Sequence, residues 1–445
     1  MCSVIGLYNV PEAAKYAYFG LFSLQHRGQE AAGIASSDGE RIHISKGRGL
    51  VTQVFDEDKL SKLIGNSAVG HTRYSTAGED SVLDAQPIFA RYDLGQIAVV
   101  HNGNLTNAKE VRKKLIKEGA IFQTFMDTEN LIHLIARSQK EHLYDRIIEA
   151  LQQIEGAYSL IILSRKKMFA VRDPHGFRPL SLGKLGDGWV VASETCAFDL
   201  IGAEYVRDIR PGEMVVFEDN ELRSIQVFEP TPHKCVFEYI YFARPDSNIF
   251  GKSVYELRKA MGRELAKEYP VDADMVVPVP DSGVAAAIGY AKQSGIPFEL
   301  GIIRNHYVGR TFIEPTQAIR DLKVKMKLNP IKNVIKGKRL VVIDDSIVRG
   351  TTSKKIVNIL KEFGAKEVHM RISAPPTTGP CYYGVDTPTK EELISSRYSI
   401  EETRKYIGAD TLAYLSIDGL LRSVGNDLSY CMACFDGNYP VPLKN

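Results

Sequence analysis

The strongest constraint on the fold is one stretch, Leu340-Val341-Val342-Ile343-Asp344-Asp345-Ser346-Ile347-Val348-Arg349-Gly350-Thr351-Thr352-Ser353. Four apolar β-formers in a row describe a strand buried on both faces, as strands of parallel sheets are. Two carboxylates follow, then a loop of small residues. From Ser353 to Leu360 the apolar positions recur with the period of an amphipathic helix. Ligands of open α/β sheets gather at the carboxyl ends of the strands. There the backbone N–H groups from Arg349 to Thr352, with the threonine hydroxyls, suit a phosphate at the helix N-terminus. The acid pair one step upstream suits ribose hydroxyls or a Mg²⁺ ion. The plainer alternative is a strand–turn–helix whose acids only cap the helix. Acid pair and phosphate cradle standing in register favour the ligand.

The same stretch closely resembles the fingerprint with which type I phosphoribosyltransferases bind phosphoribosyl pyrophosphate (PRPP). The resemblance implies that Asp344, Asp345, Ser346, Arg349, Gly350, Thr351, Thr352 and Ser353 contact PRPP. Pro280-Asp281-Ser282-Gly283 falls between a predicted strand and helix and resembles the pyrophosphate loop of that family. It adds Ser282 to the PRPP contacts and, with Asp344 and Asp345, to the Mg²⁺ ligands. From Arg304 to Arg339 ten Lys/Arg stand against two Asp/Glu. Composition alone reads this as a solvated face; by the resemblance it is a catalytic loop closing over PRPP.

A chain of 445 residues has room for two domains and an appendage, and 44% apolar with 25% charged residues is a globular composition. The net charge of +2 argues against bulk attraction to nucleic acid, and no window has the apolar length of a membrane span. The first residues lack the basic start of a signal peptide. Six cysteines are too few for a disulfide scaffold and point to ligand or catalytic roles in a reducing cytoplasm.

The first half reads as short strands (3–8, 31–36, 42–45, 67–72, 97–101, 158–163, 168–172, 189–193) and a few helices: one from Pro11 towards Gly28, one from Asn107 to Gly119 with a capping box to Glu110, and one over 128–139. This is the pattern of stacked antiparallel sheets with helices outside. Cys2 is its sharpest feature. Once Met1 is removed, thiol and α-amine share one residue, and reference pKa values of about 8.5 and about 7.7–8.0 make the amine a plausible local base. Asn102-Gly103, ending an apolar strand, can present a side-chain amide and a backbone N–H as an oxyanion hole. The plainer alternative is a hairpin turn.

Cys2, Gln25-His26-Arg27-Gly28-Gln29-Glu30, His71-Thr72-Arg73-Tyr74-Ser75-Thr76, His101-Asn102-Gly103-Asn104 and Asp127 together resemble the motifs of class II glutamine amidotransferases. That family has an N-terminal-nucleophile αββα fold and releases ammonia from glutamine. The resemblance implies Cys2 as nucleophile, with Asn102 and Gly103 holding the oxyanion. Arg73 grips the α-carboxylate and Asp127 the α-amino group, and Arg27 and Thr76 are further glutamine-binding positions. Members with a cluster often carry a propeptide before the nucleophile; here methionine removal is the maturation expected.

The Pro-punctuated connector 228–234 divides the chain into 2–230, a glutaminase domain, and 231–385, a phosphoribosyltransferase domain of alternating helix and strand (254–269, 275–279, 284–293, 298–303, 340–343, 368–373). Residues 386–445 read as short helices over 390–395, 399–407 and 415–422. Cys235, Cys381, Cys431 and Cys434 include one close pair, which leaves a [4Fe–4S] cluster, zinc or free core thiols open. The four-cysteine pattern resembles the iron–sulfur subgroup of the amidophosphoribosyltransferases, which implies the cluster. Cys196 reads as an ordinary buried thiol. The family expectation for the whole chain is glutamine-dependent transfer of ammonia to PRPP, the first committed step of purine synthesis. It brings purine nucleotides as feedback inhibitors and a homotetramer, with no nucleic acid or membrane as partner. The rivals are a class II amidotransferase with another acceptor and a non-catalytic PRPP or nucleotide sensor.

Overall fold

The computed structural model describes residues 1–74, 82–305 and 328–444. Two antiparallel sheets build the first half. The first runs in the order 204–208, 181–185, 188–192, 3–8, 67–73, 31–37, 42–48, with Ser3–Tyr8 at its centre. The second runs 221–226, 213–218, 168–172, 156–164, 95–105, 88–92.

Alternation along the strands decides which side chains meet. Val4 and Tyr8 of one sheet pack with Ala98, Val100 and Ile161 of the other in the layer between them. Ile5 and Leu7 point the opposite way, onto the Ala13–Ser23 and Cys196–Ile201 helices. Ile97 and Val99 likewise turn outward, onto the three helices 108–117, 128–137 and 143–151. The result is the expected αββα order of layers. The Asn107–Glu110 capping box does not form, because the Asn107 side chain instead bridges to Gln153 O and Glu155 N–H, at 3.0 and 2.9 Å.

The connector runs along Pro174 and His175, whose carbonyls accept the Thr231 and His233 N–H groups. Beyond it lies a four-stranded parallel sheet in the order 275–278, 339–344, 367–372, 411–414. Val341 and Ile343 pack on one side, towards Met261, Leu265 and Tyr290 of the helices 254–268 and 284–294. Leu340 and Val342 pack on the other, towards Ile356, Val357 and Leu360 of the Thr351–Glu362 helix. Covering of both faces is why this strand is a continuous apolar run.

Two expectations are corrected here. The segment 386–445, read as purely helical, also supplies the sheet's edge strand Thr411–Tyr414, beside the capped helix Ile400–Ile407 that was expected. The strand expected over 298–303 is only a single bridge, Phe298 to Val276, followed by a separate hairpin of Ile302–Arg304 with Leu328–Pro330. The middle of the basic run, 306–327, lies outside the described residues.

Candidate active sites

The first pocket forms where the two sheets of the first half meet at one end. Cys2 has the same parity as Val4, so it enters the layer between the sheets; Asn102, with the parity of Ala98 and Val100, enters it from the other side. Cys2, Arg73, Tyr74, Gly103, Met126 and Asp127 line the pocket. Cys2 Sγ lies 3.5 Å from the Tyr74 carbonyl. Burial raises the thiol pKa, and the neighbouring α-ammonium pulls it back. Burial also lowers that ammonium to about 6, so it is largely neutral at pH 7 and able to accept a proton. Here the amine belongs to Met1; without Met1 it would be that of Cys2.

Both polar atoms of the Asn102 side chain are buried with no hydrogen-bond partner among the described residues. Such atoms are costly to leave unpaired, and a substrate oxyanion would satisfy the amide N–H. Asp127 accepts the Leu105 N–H at 2.9 Å and stands 3.4 Å from His101 Nδ1. Burial opposes its charge, but His101 and the backbone donors prevail and hold its pKa below the usual carboxylate value. Arg73, 2% exposed, lies 4.0 Å from Asp84. A buried cation and a buried anion flanking a thiol form a receptor for a zwitterionic amino acid.

The second pocket is the strand end at 344–353. Asp344 and Asp345 are each 6% exposed. Burial, then the charge of Asp345, raises the Asp344 pKa well above the usual range. Asp344 accepts the Asp345 N–H at 2.9 Å and the Ser282 hydroxyl at 3.5 Å, and Ser346 donates to Asp345 at 2.6 Å. Gly350, at φ 76°, turns the chain into the helix beginning at Thr351, two residues earlier than the periodicity suggested. A side chain on Gly350 would meet Ile394 at 2.6 Å. Thr351 and Thr352 are exposed and offer hydroxyls; Ser353 is buried. Arg349 pairs with Glu392 at 3.2 Å. Two buried carboxylates that repel each other fit a divalent cation that takes its remaining ligands from water and substrate.

The four later cysteines come together from three segments. Cys235 and Cys431 face each other across a short parallel pair, and Cys381 accepts the Tyr383 N–H at 3.3 Å. Burial raises the Cys431 and Cys434 thiols, and each is raised further by Cys235 and Cys381. Among the described residues no three His, Cys, Asp or Glu side chains close on one point as a single metal ion requires. Cysteine thiolates are the ligand type that holds iron–sulfur clusters, and a bound cluster's charge would stabilise them against the burial that raises these thiols.

The comparisons agree with both halves. A model of the glutamine amidotransferase domain matches residues 71–199, and one of the phosphoribosyl transferase domain matches 251–393. The chloroplastic amidophosphoribosyltransferase of Glycine max is 54% identical over 444 residues, spanning 99% of this chain and 78% of its own length. The amidophosphoribosyltransferase of Bacillus subtilis is 51% identical over 450 residues, spanning 99% and 94%. The chain belongs to the amidophosphoribosyltransferase family. A solved structure, the glutamine PRPP amidotransferase from B. subtilis complexed with ADP and GMP, matches with a TM-score of 0.95 at 50% identity, over 100% of this chain and 98% of that one.

Within this amidophosphoribosyltransferase fold, Cys2, Arg73, Gly103 and Asp127 line one pocket, with Asn102 buried next to Gly103 in the chain, and Ser282, Asp344, Asp345 and Ser346 are joined by hydrogen bonds. Thr76 lies outside the described residues. Arg27 does not reach the glutamine pocket, which corrects its reading as a glutamine contact. Its guanidinium is buried behind Cys2, with every N–H directed to Cys2 O, Glu194, Glu238 or Met1 Sδ. Sequence reasoning missed Glu194, Arg178 and Glu238, which surround Arg27. The ion pairs that join them to Arg27 and to one another span 60 to 211 residues, so no local pattern marks them. Cys196 is buried as expected, 3.8 Å from Glu194.

Proposed function

We propose that this chain converts glutamine, PRPP and water into 5-phosphoribosylamine, glutamate and diphosphate, the step that commits PRPP to purine synthesis. The observation that carries the reading is the pairing, in one chain, of a thiol pocket built for a zwitterion with an acid-pair and phosphate-loop pocket built for a sugar phosphate. Tyr241 stands within electrostatic reach of both, near Asp345 and Asp344 on one side and Tyr74 on the other.

In the first pocket the Cys2 thiol passes its proton to the α-amine and attacks the carboxamide carbon. Asn102 Nδ2 and the Gly103 N–H receive the oxyanion, each contributing about 2.7–4 kcal/mol to the transition state. Ammonia leaves with the proton, and water hydrolyses the thioester to glutamate. Arg73 and Asp127 hold the substrate's α-carboxylate and α-amino group. In the second pocket the ammonia lone pair attacks the anomeric carbon of PRPP as the bond to diphosphate breaks. The N–H groups of 349–352 and the threonine hydroxyls hold the 5′-phosphate, and the acid pair holds the ribose hydroxyls. Ser282, Asp344 and Asp345 would hold Mg²⁺, which neutralises charge on the departing diphosphate. Cys235, Cys381, Cys431 and Cys434 would hold a [4Fe–4S] cluster that ties three segments together, since no step moves an electron. A cytoplasmic setting suits six free cysteines. Among the described residues no helix is long and apolar enough to cross a membrane. The family relation supports purine nucleotides as feedback ligands and a homotetramer.

The test is an anaerobic assay of glutamate and pyrophosphate release with glutamine and Mg²⁺, with and without PRPP. Equal release of both, only when PRPP is present, is expected. Glutamate without pyrophosphate would mean another acceptor, and neither product with PRPP bound would mean a sensor. Cys2→Ala should abolish glutamine use and spare ammonia-dependent synthesis.

A further inference from the structure

The most completely buried ionic group outside the two pockets lies immediately behind Cys2. Arg27, Arg178, Glu194 and Glu238 all have side chains with 0% exposure, two positive and two negative. Arg27 Nε donates to the Cys2 carbonyl at 3.1 Å. The two terminal nitrogens of Arg27 clasp the Glu238 carboxylate at 2.9 and 2.8 Å. Arg178 reaches the same carboxylate at 3.2 Å and ties it to Tyr383 O. Arg27, Arg178 and Glu194 come from the first half, but Glu238 lies beyond the connector, on the single π-helical turn Glu238–Phe242. The exchange runs both ways: Glu194 accepts the Arg244 N–H at 2.9 Å and the Ser247 hydroxyl at 2.7 Å.

We propose that Glu238 is a positioning residue for the glutaminase reaction, seating Cys2 through Arg27, so that the first half cannot hold its own nucleophile without this carboxylate from the second. The proposal rests on Cys2 being the nucleophile. The physical reason is charge balance in a dry site. A bidentate carboxylate fixes the plane of the Arg27 fork, and with it the direction of the Nε–H that holds the Cys2 carbonyl. Without Glu238, two buried guanidiniums face one carboxylate, Glu194. Arg27, already bonded to Glu194, then pivots on that one carboxylate or draws in water, and its hold on the Cys2 backbone loosens. The substrate contacts Arg73 and Asp127 are not members of this group. The loss therefore falls on the attack by the thiol and not on binding of glutamine, and it leaves PRPP chemistry intact.

The test is Glu238→Gln in the full chain, with steady-state kinetics on glutamine and on ammonia, and the rate at which a diazoketone analogue of glutamine labels Cys2. The expected result is a fall of about tenfold or more in glutamine-dependent kcat and in labelling, with KM for glutamine and ammonia-dependent synthesis within about twofold of the parent. If Glu238→Gln does not fold, Glu238→Asp keeps the charge but withdraws it by one methylene, and the same split is expected at smaller size. Parallel loss of glutamine- and ammonia-dependent activity would mean a purely structural residue and overturn the proposal, as would unchanged labelling. Cys2→Ala alongside separates the two readings. Glutamine use that survives in Cys2→Ala overturns the nucleophile and the proposal together. Glutamine use lost in Cys2→Ala but unchanged in Glu238→Gln overturns the role of Glu238 alone.

Discussion

Gly384 gives the sharpest handle on the oxyanion hole, because it belongs to the second half yet lies on Gly103. Its φ is +96°, and an added Cβ would stand 2.8 Å from Gly103 C and 2.9 Å from Gly103 Cα and O. These are backbone atoms at the end of a strand, so no side chain can swing away to make room. Restoring an ordinary contact of 3.4 Å requires a separation of about 0.6 Å between the two glycines. Asn104, one residue on, donates to Tyr382 O at 2.9 Å and resists that movement. A non-glycine residue at this φ costs roughly a further 1–2 kcal/mol. A shift of that size takes a hydrogen bond of ordinary length to the limit of useful geometry. Gly384→Ala should therefore forfeit most of one oxyanion donor, about 2.7–4 kcal/mol, or 10²–10³ in glutamine-dependent kcat. The assay is glutamate release with PRPP present, against pyrophosphate release with ammonia in place of glutamine. The ammonia reaction should persist, since Asp344, Asp345 and the phosphate loop are elsewhere. A folded Gly384→Ala protein whose glutamine kcat stays within about threefold of the parent would refute the reasoning.

Other consequences follow from the charges. Asp344→Asn removes the repulsion within a buried acid pair, so the ligand-free protein should melt no lower than the parent, and synthesis with either nitrogen donor should be lost; a lower melting temperature would contradict the repulsion argument. Glu213, fully buried and paired with Arg207 and Arg210, is held at about 2 despite burial, by its side-chain bonds to Arg207 and Ser224. A carboxyl depressed in the folded state stabilises it above the unfolded value near 4.3 and loses that contribution as pH falls towards 2, here about 3 kcal/mol. Glu213→Gln should therefore lower the urea midpoint at pH 7 and narrow the gap at pH 3; an equal deficit at both pH values would disprove the linkage. Cys434→Ser should reduce iron and sulfide content in anaerobically prepared protein and lower the melting temperature, and full iron content in that variant would dismiss the cysteine as a ligand.

The chemistry of both pockets was legible before any coordinates. Cys2 is the second residue, Asn102 and Gly103 are adjacent, and the acids, loop and helix of 340–353 are continuous, so residue type and spacing mark them, while the roles of Arg73 and Asp127 came from the family resemblance. Arg27 shows the limit. Its motif points to glutamine, but a guanidinium goes where five acceptors are, and those come from Met1, Cys2, Glu194 and Glu238.

By itself, the sequence determined the order of most elements, the parallel strand buried on both faces and the acid pair with its phosphate loop, because these follow from spacing along a single strand or loop; the family resemblance supplied the roles of Arg73 and Asp127 and the four-cysteine set. Only the tertiary structure decided what stands behind the nucleophile and above the oxyanion hole. Glu238 and Gly384 are supplied from beyond the connector, and a buried ion pair or a backbone contact across that distance leaves no period in the sequence. Such contacts are specified by the closing of one half on the other, where an unpaired charge or an added methyl group is most costly.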